Sequence, residues 1–141
     1  MATAKTKYYV FVSGPMESVG GNMNVPLFAH LTKLLRRKGC IVYNPTEYMP
    51  TDFAKMGKND RAFARRIAMK NNTSWICEHC NAMLMLPGWK QSPGALAEHA
   101  LALSLNIVIR ESPTILLPTG DEDGHHSTDP IRLELFETEG V

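Results

Sequence analysis

The sequence predicts an α/β domain with a Rossmann-like or flavodoxin-like parallel sheet of about five strands and helices on both faces. Two patterns carry this expectation: short apolar runs alternate with longer helical stretches along the chain, and the best-marked junction runs strand, loop, helix. A third observation sets the scale, because 141 residues with 44% hydrophobic content amount to about one domain with a sizeable core.

Residues 8–12 read as the first strand, followed by a loop over 13–24 that holds Gly14, Gly20 and Gly21. Glycines there permit close backbone approach to a phosphate, although the loop lacks a dinucleotide fingerprint and also reads as an ordinary surface loop. Residues 26–37 form a helix with Leu27, Phe28, Leu31, Leu34 and Leu35 on one face; basic residues complement its C-terminal dipole and Gly39 ends it. Residues 40–43 make the second strand, stopped by Asn44-Pro45, and residues 46–59 read as loop.

A long helix is expected over 60–79, with a basic start that includes Arg61, Arg65 and Arg66. It reads either as a solvated face or as the mouth of a pocket that attracts phosphate. Residues 80–86 are a short buried strand bounded by Pro87 and Gly88. After a loop of about seven residues, the Ala- and Leu-rich stretch 95–105 is helical, with Ser92 as its N-cap and Pro93 at its first position. Free backbone N–H groups at such a start bind anions. Residues 106–110 complete the expected α/β domain over 1–110, leaving 111–141 as a C-terminal extension with eight acidic residues against one Arg. Within that extension, 114–117 reads as another strand and 131–136 as a strand or short helix, and the segment reads either as folding over a neighbouring subunit or as a flexible tail.

Glu98 is the candidate for chemistry. A capping partner of Ser92 would stand at Ala95, so capping does not explain Glu98, and no basic residue lies at helical spacing from it. Small neighbours around a carboxylate leave room for a ligand. An ionised carboxylate in a dry pocket is what a glycosyl-transferring enzyme uses as nucleophile. The competing reading is a Glu on a solvated helix face.

The ordered set Val12-Ser13-Gly14-Pro15-Met16, Asn24-x-Pro26-x-Phe28, Gly39-Cys40-x-Val42-x-Asn44-Pro45, Leu86-Pro87-Gly88-Trp89 and Ser92-x-Gly94-x-x-x-Glu98 resembles the nucleoside 2-deoxyribosyltransferase superfamily. Within it the match is to the 2'-deoxynucleoside 5'-phosphate N-hydrolases and their short, often phage-encoded relatives. The resemblance covers about residues 8 to 110. It implies Glu98 as the nucleophile that captures deoxyribose, with Ser13, Gly14, Pro15, Met16, Asn24, Ser92 and Gly94 around sugar and phosphate, and it implies a homodimer. Ser at position 92, where transferases acting on uncharged nucleosides tend to carry Asp, favours a 5'-phosphate, since Asp there would repel a dianion. Trp75 and Trp89 read as core or as a platform for the base, Trp89 being the better placed of the two. Three departures stand out: Phe11 replaces a usual Tyr, and Thr73 and Asn81 replace usual Asp residues, so no ordinary general acid is evident, which leaves Asp60, Glu47, His99, water or a partner subunit as the substitutes.

The near-balanced charge of +1 argues against a nucleic-acid polymer or a membrane surface as partner. No apolar run is long enough to span a bilayer, and the start with Lys5 and Lys7 lacks the apolar stretch of a signal peptide, so a cytoplasmic location is expected. Three cysteines cannot form a complete disulfide framework, and Cys77-Glu78-His79-Cys80 lacks the second ligand pair of a structural zinc site. Neither metal nor cofactor is expected. The expected activity is hydrolysis of the N-glycosidic bond of a (deoxy)nucleoside 5'-monophosphate, with base exchange between deoxynucleosides and non-catalytic nucleotide binding as the alternatives.

Overall fold

A computed structural model of the chain describes residues 7–17 and 23–112. The strands are β1 (Tyr9–Ser13), β2 (Ile41–Tyr43), β3 (Ala82–Met85) and β4 (Val108–Glu111); the helices are α1 (Val25–Arg37), α2 (Lys58–His79) and α3 (Pro93–Ser104). The strands form one parallel sheet in the order β2-β1-β3-β4. Chain direction across the sheet therefore reverses between β1 and β3, the arrangement in which open α/β sheets leave a ligand crevice at the strands' carboxyl ends.

Strand alternation sorts the side chains onto two faces. Val10, Val12, Val42, Ala82 and Leu84 pack with Phe28, Leu31 and Leu35 of α1, the apolar stripe that the sequence shows at helical spacing. Phe11, Tyr43, Met83 and Met85 face the other way, onto Ile76 of α2 and Ala95 and Ala102 of α3. With Phe28, Leu31, Leu35, Ile76 and Met83 all but fully buried, each contributes about 1.5–3 kcal/mol of transfer free energy. Ser13, two residues beyond Phe11, shares its face. That register turns a hydroxyl toward α2 and α3.

Two close approaches explain glycines at the strand ends. A Cβ on Gly14 would stand 2.6 Å from Leu86 Cβ, so only glycine lets the chain leave β1 over that side chain. Gly88 takes φ +87° against Pro15, whose Cγ lies 3.2 Å from where a Cβ would be. The need for glycine at position 14 thus comes from a leucine just after β3.

The parallel α/β architecture follows the expectation, with element boundaries shifted by at most two residues. Four strands rather than about five are present among the described residues. The segments expected over 114–117 and 131–136 lie outside them, as do Gly20 and Gly21. The sheet also runs slightly past the expected boundary at 110: Glu111 is in β4 and the Ser112 amide donates to Met85 O at 2.9 Å. The stretch expected as plain loop, 46–59, contains two short 3-10 turns, Pro45–Glu47 and Phe53–Lys55. Among the described residues no helix is long and apolar enough to cross a membrane.

Candidate active site

Three elements converge on one carboxylate. In α3 the residues at spacing 95, 98, 102 form the stripe turned to the sheet, so Glu98 occupies a position that a helix of this composition would fill with an apolar side chain. It is 5% exposed. Ser13 Oγ, at the end of β1, donates to Glu98 Oε1 at 2.7 Å, and Asn72 Nδ2, from α2, donates to Oε2 at 3.1 Å. Both partners are buried and neutral. Burial pushes the Glu98 carboxyl up to about 7, against the two hydrogen bonds, which pull it down. The expected ionised nucleophile is therefore a group balanced between its two forms near neutral pH. The solvated-face alternative does not hold.

Ser92 is the N-cap of α3 as expected, its Oγ accepting from the Ala95 amide at 3.3 Å. Its carbonyl accepts from the Leu96 amide, and Pro93 has no N–H. Of the first turn's donors, this leaves the Gly94 amide for a ligand, fewer than the run of free amides that the cap suggests. Gly94 and Glu98 are one helical turn apart, so they project on the same side, about 6 Å apart along the axis.

A cavity of about 600 Å³ opens in front of this face, bounded by Gly14, Ser92 and Gly94 on one side and by Arg65, Arg66 and Asn72 on the other. Its size lies within the range of about 300–1,000 Å³ usual for small-molecule sites. Met16, Met23, Met49 and Met69 supply adaptable apolar wall. Arg65 is held by Glu17, with Nε donating to Oε2 at 2.8 Å, and its guanidinium lies over the Phe53 ring at 5.6 Å. The Arg65 guanidinium, bonded to Glu17 and close to it, holds that carboxyl below its ordinary range. Arg66, also on the rim, makes no ion pair among the described residues. This matches the pocket-mouth reading of the basic helix for Arg65 and Arg66. Arg61 instead donates to Met56 O at 2.8 Å.

The other expected site residues divide. Gly14, Met16, Ser92, Gly94 and Glu98 line the cavity, and Ser13 stands directly behind Glu98. Pro15 and Asn24 are outside its wall: Asn24 Nδ2 donates to Pro15 O at 2.9 Å, and Asn24 takes φ +61° as it leads into α1, so the pair clasps the loop ends. Trp89 is also outside. It is 7% exposed and stacked on His99 at 4.3 Å, so it is core beneath α3 and offers no face to a base.

The two positions at which Asp residues were expected are structural. Thr73 Oγ1 donates to Met69 O within α2, and Asn81 bridges the strand starts, accepting from the Tyr9 amide at 2.7 Å and donating to Lys7 O at 2.9 Å. The residue that reaches Glu98 is Asn72, which residue spacing alone had not singled out. Its signal was present in the helical phase, since stepping back three from Trp75 and four from Ile76 both lead to position 72. Elsewhere, Cys80 Sγ lies 3.1 Å from Ala82 O, and burial pushes its thiol up to about 11.

Fold and site together define a parallel α/β domain that keeps a buried, hydrogen-bonded carboxylate in the crevice at its topological switch point. Residues 8–111 match a family model described as a domain of unknown function, DUF4406, and the chain belongs to that family. No curated protein and no solved structure matches it.

Proposed function

We propose that the protein hydrolyses the N-glycosidic bond of a deoxynucleoside 5'-monophosphate, with Glu98 as nucleophile. The observation that carries this reading is the Glu98 carboxylate itself, buried at the cavity wall and gripped by Ser13 and Asn72, one helical turn from the Gly94 amide. The 5'-phosphate sits at Gly94 and the Ser92 end of α3, with Arg66 as its counter-charge. In this reading C1' lies before the carboxylate, one helical turn from the phosphate. An oxygen of ionised Glu98 forms a bond to C1' as the C1'–N bond breaks and its electron pair leaves with the base. Water then attacks C1', the ester bond breaks, the water gives up a proton to solvent, and deoxyribose 5-phosphate and a free carboxylate result. Arg65 holds Glu17, the other carboxylate of the cavity among the described residues, ionised, so Glu17 does not supply the proton that the departing base takes up. The resemblance to the 2'-deoxynucleoside 5'-phosphate N-hydrolases supports the same assignment.

The test is chromatography after incubation with the four deoxynucleoside 5'-monophosphates, their nucleosides and the matching ribonucleotides. Free base from at least one deoxynucleotide, absent with Glu98→Gln, is expected. Release from none, with folded protein, refutes it. Among the described residues the cavity lining holds only one carboxylate besides Glu98, the Arg65-bound Glu17, and this favours one other reading, a nucleotide-binding protein without turnover, which tight calorimetric binding with no base released would select. A new nucleoside formed on adding an acceptor base would instead assign base exchange.

A further inference from the structure

A second hollow, of about 320 Å³, adjoins the cavity and shares Pro45, Met49, Ala68 and Asn72 with it as a common wall. Asn72 therefore touches both spaces while holding Glu98, and Gly94 lines only the first of them. Its lining is unlike that of the first. Tyr48 and Phe63, 61% and 65% exposed, are the two aromatic side chains among the large apolar residues left open to solvent in the described structure, and both face this hollow. Ile67, also exposed, lies one turn beyond Phe63 on α2. Behind them Tyr48 stacks on Tyr43 at 4.8 Å and 21°, so its ring is braced in place. Exposed aromatic rings gathered at one concavity mark a binding surface, because burial elsewhere in the core would have been more favourable. At the edge, Asn71 brings an exposed amide, a donor and an acceptor side by side, for which no side-chain hydrogen bond is found among the described residues.

We infer that this hollow is the subsite for the planar heterocyclic base, with Tyr48 and Phe63 as stacking faces and Asn71 at the base edge. The inference rests on the proposed glycosidase reading for the placement of sugar and phosphate. The space is ample, since a cavity of about 150 Å³ already takes up benzene. Stacking is sequence-tolerant, so the subsite selects an aromatic ring first and its identity through Asn71 second. Trp89, sealed beneath α3, is replaced in this role by residues from the connection after β2 and from α2.

The experiment is an amide chemical-shift titration of the ¹⁵N-labelled protein with each deoxynucleoside 5'-monophosphate and, separately, with 2-deoxyribose 5-phosphate. The sugar phosphate is expected to shift Gly94, Ala95 and Glu98 alone, and the nucleotides to shift these together with Tyr48, Phe63 and Asn71. Tyr48→Ala/Phe63→Ala is then expected to weaken nucleotide binding about tenfold or more while leaving the sugar phosphate unaffected. Nucleotide shifts confined to the α3 start, or equal loss of both ligands in the variant, overturn the subsite and leave the glycosidase reading standing. Shifts at Tyr48, Phe63 and Asn71 with none at Gly94 to Glu98 uphold the subsite and overturn the phosphate placement. Silence at both places overturns both.

Discussion

Replacing Glu98 by Gln should make the protein more stable at alkaline pH and not at acid pH. The reason lies in the cost of holding a charge inside α3. The free carboxyl value of 4.5 rises to about 7 in the fold because burial penalises the ionised form. The folded state therefore keeps its proton over a range where the unfolded chain has lost it. Stability from this group is level below pH 4.5, falls between 4.5 and about 7, and is level again above, since stability drops with pH wherever the native state binds more protons. At about 1.4 kcal/mol per pH unit, that interval amounts to about 3 kcal/mol. Glutamine keeps the shape and stays neutral, and Ser13 Oγ can rotate to accept where it had donated. Urea unfolding of both proteins from pH 4.5 to 9 reads the difference. The variant's advantage should grow through pH 5 to 7 and reach about 3 kcal/mol above pH 8. An offset that does not change with pH refutes the argument that an ionised Glu98 is held against a desolvation cost.

Four further outcomes follow from the same geometry. The pH profile of kcat/KM for base release should rise with pH on a single limb centred near 7 as Glu98 ionises, and Asn72→Ala, which removes a donor to the charged form, should move that limb to higher pH. Arg66→Ala should weaken deoxynucleoside 5'-monophosphate binding by about tenfold in calorimetry and leave the uncharged nucleoside unchanged, one charge-assisted bond being lost. Gly14→Ala should cost about 1–3 kcal/mol in denaturant unfolding, because its Cβ meets Leu86 at 2.6 Å. Asn81→Ala should cost about 1–2 kcal/mol for two lost backbone bonds and leave kcat at the parent value; a fall in kcat with stability intact would restore position 81 to the chemistry.

What could be read beforehand was mostly local. Ser92 and Pro93 start a helix by their own chemistry, and α1 announces its inward face by Phe28, Leu31 and Leu35. Glu98 was conspicuous as a lone carboxylate, yet its burial was not legible, because α3 is apolar on nearly every side and no stripe marks the face that meets the sheet. Asn72 stayed hidden for a related reason: α2 buries only Asn72 and Ile76 among its 22 residues, too few to set a clear phase without the tryptophan beside them. The partner of Arg65 lies 48 positions earlier in the chain, a pairing that no spacing rule reaches. Trp89 misled because a tryptophan in a loop before a capped helix looks available, whereas the short 3-10 turn Trp89–Gln91 folds it under His99.

The Asn81 clamp ties Lys7 and Tyr9 to the start of β3, at the far end of the same two strands whose other ends carry Ser13 and open onto Glu98. Robustness and the proposed chemistry thus belong to opposite poles of one sheet. An engineer can harden the first pole, or a lineage can let it drift, without disturbing a single atom that a nucleotide would meet.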